Sequence, residues 1–182
     1  MRLPRFILTA FFAAALASVA AQSAGHDPAV INIEKAAGEN LATYAFEQLK
    51  QDFPQHEIDT ATPWSKSGEK FRYRGPSLKD VLAKHGIDTG ISVEVTAFDN
   101  YITKITNEEI AAYAPIVAVE RACTDKDRSG GACDPGKDFK PLSLEDGGPY
   151  YIVWPLDRLP KSYVPGRNSI WVWFAIKFRP AD

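Results

Sequence analysis

The chain has 182 residues, 45% of them hydrophobic, with 21 Lys and Arg against 23 Asp and Glu and a formal charge of −2. That balance excludes the basic stripe that nucleic-acid binding demands and the polybasic patch that anionic lipid demands. Thirteen prolines and twelve glycines, spread without an internal repeat or a low-complexity tract, indicate a loop-rich globular protein.

In chain order, Arg2 and Arg5 form a basic start to the apolar run Phe6 to Val19, with small residues up to Ala21. This reads as a secretory signal peptide over residues 1–21, since the run is too short to cross a bilayer comfortably. Residues 22–182 then form a single domain with 19 basic and 23 acidic side chains, a charge of −4. No later segment approaches membrane-span length, so a periplasmic or secreted protein without a membrane span after signal cleavage is expected.

Leu41, Ala45, Leu49 and Phe53 stand four apart in "GENLATYAFEQLKQDF" and predict an amphipathic helix ended by Pro54. "HEIDTAT" and "KFRYRG" alternate as strands, the second with Phe71 and Tyr73 on one face and Arg72 and Arg74 on the other. "GPSLKDVLAKHG" predicts a short helix with Leu78, Val81 and Leu82 inward and Gly86 as its left-handed stop. "SVEVTAFDNYITKIT" predicts two strands turning at Asp99-Asn100, and Thr106 with Glu109 predicts a capping box that opens another short helix. "PIVAVE" and "YYIVWP" read as buried strands. "SIWVWFAIKF" (Ser169 to Phe178) reads as a strand apolar on both faces, hence central. Short helices among many strands give the α+β class, and no glycine fingerprint of a dinucleotide fold follows a strand.

Both cysteines lie in "CTDKDRSGGACD". Asp125, Asp127 and Ser129 occupy the first three ligand positions of a calcium loop, but Gly136 stands where the closing glutamate belongs and no helix is predicted beside it. "GACDPGK" has phosphate-loop spacing but is followed by Asp138, whose carboxylate repels phosphate. Nine residues between the thiols do not suit a redox pair. In an oxidising compartment, Cys123 and Cys133 are expected to form a structural disulfide closing a surface loop; Asp125, Asp127 and Ser129 remain as a weaker calcium alternative.

Signatures of nucleophilic or zinc catalysis are absent from the sequence. His26, His56 and His85 have no clustered partners; Trp64, Trp154, Trp171 and Trp173 could line a cleft, with core packing the default reading because they alternate with aliphatics. Trp64, beside Pro63 in a polar stretch, reads as surface-available.

Taken in order, "FRYRGPSLKDVLAKHGI", "VEVTAFDNYITKITNEEI", "APIVAVE", "DGGPYYIVWP" and the final strand resemble the molybdopterin-binding domain of the sulfite-oxidase type, and more narrowly its small exported single-domain relatives. The resemblance runs from Phe53 to Phe178 and implies packed mixed β-sheets with short peripheral helices. It also implies a cysteine thiolate, upstream of the Gly75 turn, holding molybdenum. Here that region reads "HEIDTATPW", with Thr60 or Thr62 in the cysteine's place, and the late stretch "SIWVW" has no lysine for the pterin. The expected function is therefore that of an exported homologue without the metal thiolate, not an active molybdoenzyme and with no cofactor. It would bind a small anionic ligand or a periplasmic protein partner through Thr62, Trp64, Arg72, Arg74, Tyr101, Tyr150 and Tyr151. Arginines would pair with the anion and aromatics would form the wall. The alternative is a molybdopterin-dependent oxidoreductase with an atypical metal site, its arginines on the pterin phosphate and Tyr101 toward the substrate. A plainer alternative leaves Arg72 and Arg74 on a solvated strand face and the tyrosines in the core.

Overall fold

The computed structural model describes residues 27–36 and 39–181. The predicted signal peptide and His26 lie outside the described residues. Among the described residues, eleven strands form three sheets, with short helices around them.

The largest sheet joins β1 (Val30–Ala36), β2 (Glu39–Ala45), β11 (Ala175–Ala181), β5 (Ser92–Ala97) and β6 (Ile102–Thr106), in the order β2-β1-β11-β5-β6. All its pairs are antiparallel except β1 with β11, whose register sets Asn32 opposite Lys177. A second, antiparallel sheet has the order β3-β4-β8-β9, from β3 (Gln55–Thr60), β4 (Phe71–Pro76), β8 (Glu120–Ala122) and β9 (Phe139–Pro141). The third pairs β7 (Ile116–Ala118) with β10 (Tyr151–Val153). Ile31, Ile33, Val93, Val95 and Phe178 of the first sheet close on Val117, Ile152 and Val153 of the third in one buried cluster. The helix α2 (Leu78–Ala83) adds Leu78, Val81 and Leu82 to it. The α+β class follows from this arrangement.

Several expectations hold in detail. Gly86 has φ +64 after α2. Thr106 and Glu109 form the capping box of α3 (Asn107–Tyr113), while Arg167 engages the same Glu109 at 2.8 Å. β11 is central in its sheet as expected, but with one apolar face only: Lys177 and Arg179 on the other pair with Glu34 at 3.2 Å and Glu94 at 2.7 Å.

Three expectations need correction. Residues 38–53 are not one helix: β2 takes residues 39–45, and only α1 (Phe46–Asp52) is helical. β1, which gave no recognised signal, offers β2 a ladder partner, so backbone hydrogen bonding across the pair overrides the four-residue stripe and leaves Leu41 40% exposed. The strand predicted over 169–178 starts only at Ala175, because residues 168–170 form a 3-10 turn and Phe174 sits at φ 54. "PIVAVE" is two strands in different sheets, the chain changing sheets at Val119, whose N–H donates to Arg74 O at 2.9 Å.

That change brings β4 hard against β7. A Cβ on Gly75 would lie 2.0 Å from Val117 O, so the glycine opening the "GPSLKDVL" turn is demanded by the approach of one backbone to another.

The cysteine loop connects β8 to β9. Cys123 and Cys133 are disulfide-bonded, Cα atoms 6.1 Å apart, as expected. Within this surface loop lies a short helix, α4 (Asp125–Ser129), opened by a capping box between Thr124 and Asp127. Arg121 of β8 reaches Asp127 at 2.8 Å and Asp146 at 2.6 Å, and Lys140 of β9 completes a nearly buried network. Hydrogen bonds from Arg121 hold the Asp127 carboxyl below the usual carboxylate range. Burial alone would raise Asp146, but bonds from Lys140 and Arg121 outweigh it and hold that group low as well.

Candidate functional site

The seven residues expected at one site are found in three places. Arg72 and Arg74 project from β4 into an open, charged groove of about 960 Å³ that also takes in Cys123 of the clip. Its charges are mutually compensated. Glu120, 5% exposed, accepts from Arg74 at 2.6 Å and from Lys50 at 2.9 Å, and Arg74 lies 3.8 Å over the Phe139 ring. Arg72 faces Glu57 at 3.7 Å. An anion entering the groove would have to compete with carboxylates already seated there.

Tyr150 and Tyr151 are core residues. The Tyr150 hydroxyl donates to Ala29 O at 2.6 Å, and burial pushes its pKa up to about 12. Tyr151 is 1% exposed and packs edge-on against Tyr73 and Trp173. Its hydroxyl makes no well-formed hydrogen bond, although Thr62 and Trp173 are its polar neighbours.

Trp64 and Tyr101 do meet, in a cleft of about 420 Å³ where the β3–β4 connection approaches the tip of the β5–β6 hairpin. Thr62 does not line this cleft but fixes the turn that carries Trp64. Its N–H donates to Ser65 Oγ at 2.8 Å, and its hydroxyl accepts from Trp64 N at 3.3 Å. Across from Trp64 stands Trp173, ring centroids 5.1 Å apart at 65°. Trp64 and Trp173 are 49% and 40% exposed and Tyr101 is 43% exposed. Phe174 completes the wall and Trp171 the floor.

The backbone explains this display of aromatics. At φ 54 Phe174 occupies the left-handed region, unusual for a bulky residue and costing about 1–3 kcal/mol. Its N–H donates to Gly147 O and its carbonyl accepts from Phe98 N, both at 2.9 Å. Gly147, at φ +83, stands so near that a Cβ there would come within 3.1 Å of the Trp173 ring. The predicted turn at Asp99-Asn100 closes with Asn100 at φ 67. There Asp99 Oδ1 accepts the Tyr101 N–H at 3.0 Å, and the Tyr101 hydroxyl donates to Ser169 O at 3.3 Å. Asn168 Oδ1 and Trp171 Nε1, both from residues lining the cleft, are buried without a hydrogen-bond partner.

No protein-family model and no curated protein matches the chain.

Candidate metal ligands do not assemble around this cleft. Asp125, Asp127 and Ser129 all lie on α4, and the Asp127 carboxylate is taken up by Arg121 and the Thr124 cap. Among the described residues no group of three or more His, Cys, Asp or Glu is placed to hold a metal ion. His85 bonds the Tyr44 hydroxyl at 2.8 Å, and His56 lies 3.8 Å from Asp80. Thr60, in the place the resemblance gives to a metal-binding cysteine, is 1% exposed; its hydroxyl donates to Ala61 O at 2.8 Å and accepts from Leu156 N at 2.9 Å.

The sequence missed Trp173 as an exposed wall, along with Asp99, Asn168, Ser169, Trp171 and Phe174. A signal for Trp173 was present: two tryptophans in "IWVWF" exceed what one strand face needs. The positive φ that turns one of them outward has no mark in the sequence.

Proposed function

We propose that the chain is an exported binding protein of sulfite-oxidase-like α+β build that has lost the molybdenum site, and that its ligand occupies the cleft of Trp64, Tyr101, Trp171, Trp173 and Phe174. The observation that carries this reading is the half-exposed tryptophan pair. A monomeric domain ordinarily covers such area, and aromatic-walled concavities with a few polar groups are where small molecules bind. The donor set does not suit a molybdenum–pterin group. Both cysteines are consumed by the disulfide, which leaves no thiolate, and the Thr60 hydroxyl is committed within the fold. Arg74, the cation expected on a pterin phosphate, is neutralised by Glu120. The disulfide is in keeping with an oxidising compartment. Among the described residues no helix is long and apolar enough to cross a membrane.

The test uses protein exported by its native host and purified without denaturation. Molybdenum and pterin should fall far below one per chain. A small molecule should be released on unfolding the wild type and be missing from a Trp64→Leu/Trp173→Leu variant of unchanged melting temperature. A stoichiometric molybdenum–pterin adduct would overturn the reading in favour of an oxidoreductase.

A further inference from the structure

The make-up of the cleft narrows its ligand, an inference that rests on the cleft being a ligand site. Its walls are aromatic rings, and the one carboxylate on its lining is Asp99, exposed at the hairpin tip. Asp99 is spoken for only through Oδ1, by the Tyr101 N–H; among the described residues no cation pairs with it. Indole and phenol rings carry negative faces that attract cations, tryptophan most strongly, and a carboxylate on the rim adds to that attraction and repels anions. The two indoles stand at 65° to each other on the lining of one cleft, and both keep exposed ring surface there. A neutral solute would gain from the rings and nothing from Asp99. An anion would be repelled by both. The arginines of β4 lie in the other groove, and Arg167, which reaches Ser169 Oγ on the cleft lining at 3.5 Å, has its charge offset by Glu109 at 2.8 Å, so Asp99 is the unpaired charge that a ligand meets.

We infer that the cleft binds a small free alkylammonium solute, with quaternary or N-methylated nitrogen, its methyl groups against the Trp64 and Trp173 rings and its charge balanced by Asp99. The ligand class thus differs from the small anion that the arginines of β4 led one to expect.

Tryptophan fluorescence and calorimetric titrations decide the matter with three probes: choline, tetramethylammonium, and 3,3-dimethyl-1-butanol, which is choline with the charged nitrogen replaced by carbon. Both cations should bind, and the neutral isostere should bind at least about tenfold more weakly. Asp99→Asn keeps an acceptor for the Tyr101 N–H, so the turn survives; it should weaken both cations by about three- to tenfold and leave the isostere unchanged. Trp64→Leu, at an exposed position, should abolish most of the fluorescence change. Equal binding of choline and its isostere, abolished by Trp64→Leu, would leave the cleft a ligand site and overturn the cation assignment. Silence from both cations would also overturn it, and the cleft reading would still stand or fall by the co-purification test above. Phosphatidylcholine vesicles that compete better than choline at equal headgroup concentration would overturn the free-solute assignment in favour of a lipid surface.

Discussion

Replacing Arg121 with methionine measures what the ion network under the cysteine loop is worth. The guanidinium donates to Asp146 at 2.6 Å, to Asp127 through both terminal nitrogens, and to Ala122 O at 3.0 Å. The side chains of Arg121, Asp127 and Asp146 are 11%, 10% and 12% exposed, so water replaces little of what is lost. Methionine fills similar space but leaves two buried carboxylates to share Lys140, which stands 4.0 Å from Asp127. Removing one partner of such a set costs about 3–5 kcal/mol, a fall in Tm on the order of 6–20 °C for a domain of this size. The pH dependence follows from the same contacts. Both carboxyls have folded pKa values below their unfolded ones, so their stabilisation is fully present above the unfolded value near 4 and is lost as pH falls through the folded value. The wild type should therefore lose stability on acidification from about pH 5 to about pH 2, whereas R121M, whose carboxyls gain by becoming neutral, should lose less. Melting curves by circular dichroism across that range give both quantities. A neutral-pH melting temperature within about 2 °C of wild type, or a gap just as wide in acid, would refute the reasoning.

Other substitutions probe separate features. Gly75→Ala puts a methyl 2.0 Å from Val117 O and should cost about 2–3 kcal/mol in urea denaturation, while an unchanged midpoint would mean that β4 and β7 separate at little cost. Changing Cys123 and Cys133 to serine reopens a loop of sequence separation 10; it should remove about 2–3 kcal/mol, or roughly 4–12 °C of Tm, unless the Arg121–Asp127 bonds alone hold the loop, in which case melting will not move. Tyr151→Phe deletes a buried hydroxyl that lacks a well-formed hydrogen bond, so stability should hold or rise by up to about 1 kcal/mol; a larger loss would mean that Thr62 or Trp173 bonds it in solution.

How much of this could be read from the sequence depends on how local each determinant is. The turn at Asp99-Asn100, the Thr106–Glu109 capping box and the Gly86 stop are written within a few residues, and each stands where expected. The disulfide was legible because the two cysteines bracket one short polar segment whose metal, phosphate and redox readings each lack a required residue or spacing. β2 was lost although its partner β1 alternates Ile31 and Ile33 with Asn32 and Glu34; that signal is only four residues long, and a helical stripe without its ladder looks complete. The site was half legible. Trp64 and Tyr101, expected as aromatic wall of one pocket, are brought together by the fold. Arg72 and Arg74 were chosen for their charge, but the neutralising Glu120 lies 46 residues beyond Arg74 on a strand from another part of the chain, and no local pattern announces it.

The tryptophan pair has an optical consequence. Two indoles 5.1 Å apart at 65° form a fixed chiral dimer of chromophores, so their excited states should couple and split into bands of opposite circular dichroism. Because the couplet belongs to the pair, exchanging either Trp64 or Trp173 for phenylalanine would erase all of it instead of half. The protein thus carries a built-in, label-free gauge of whether its cleft keeps its shape.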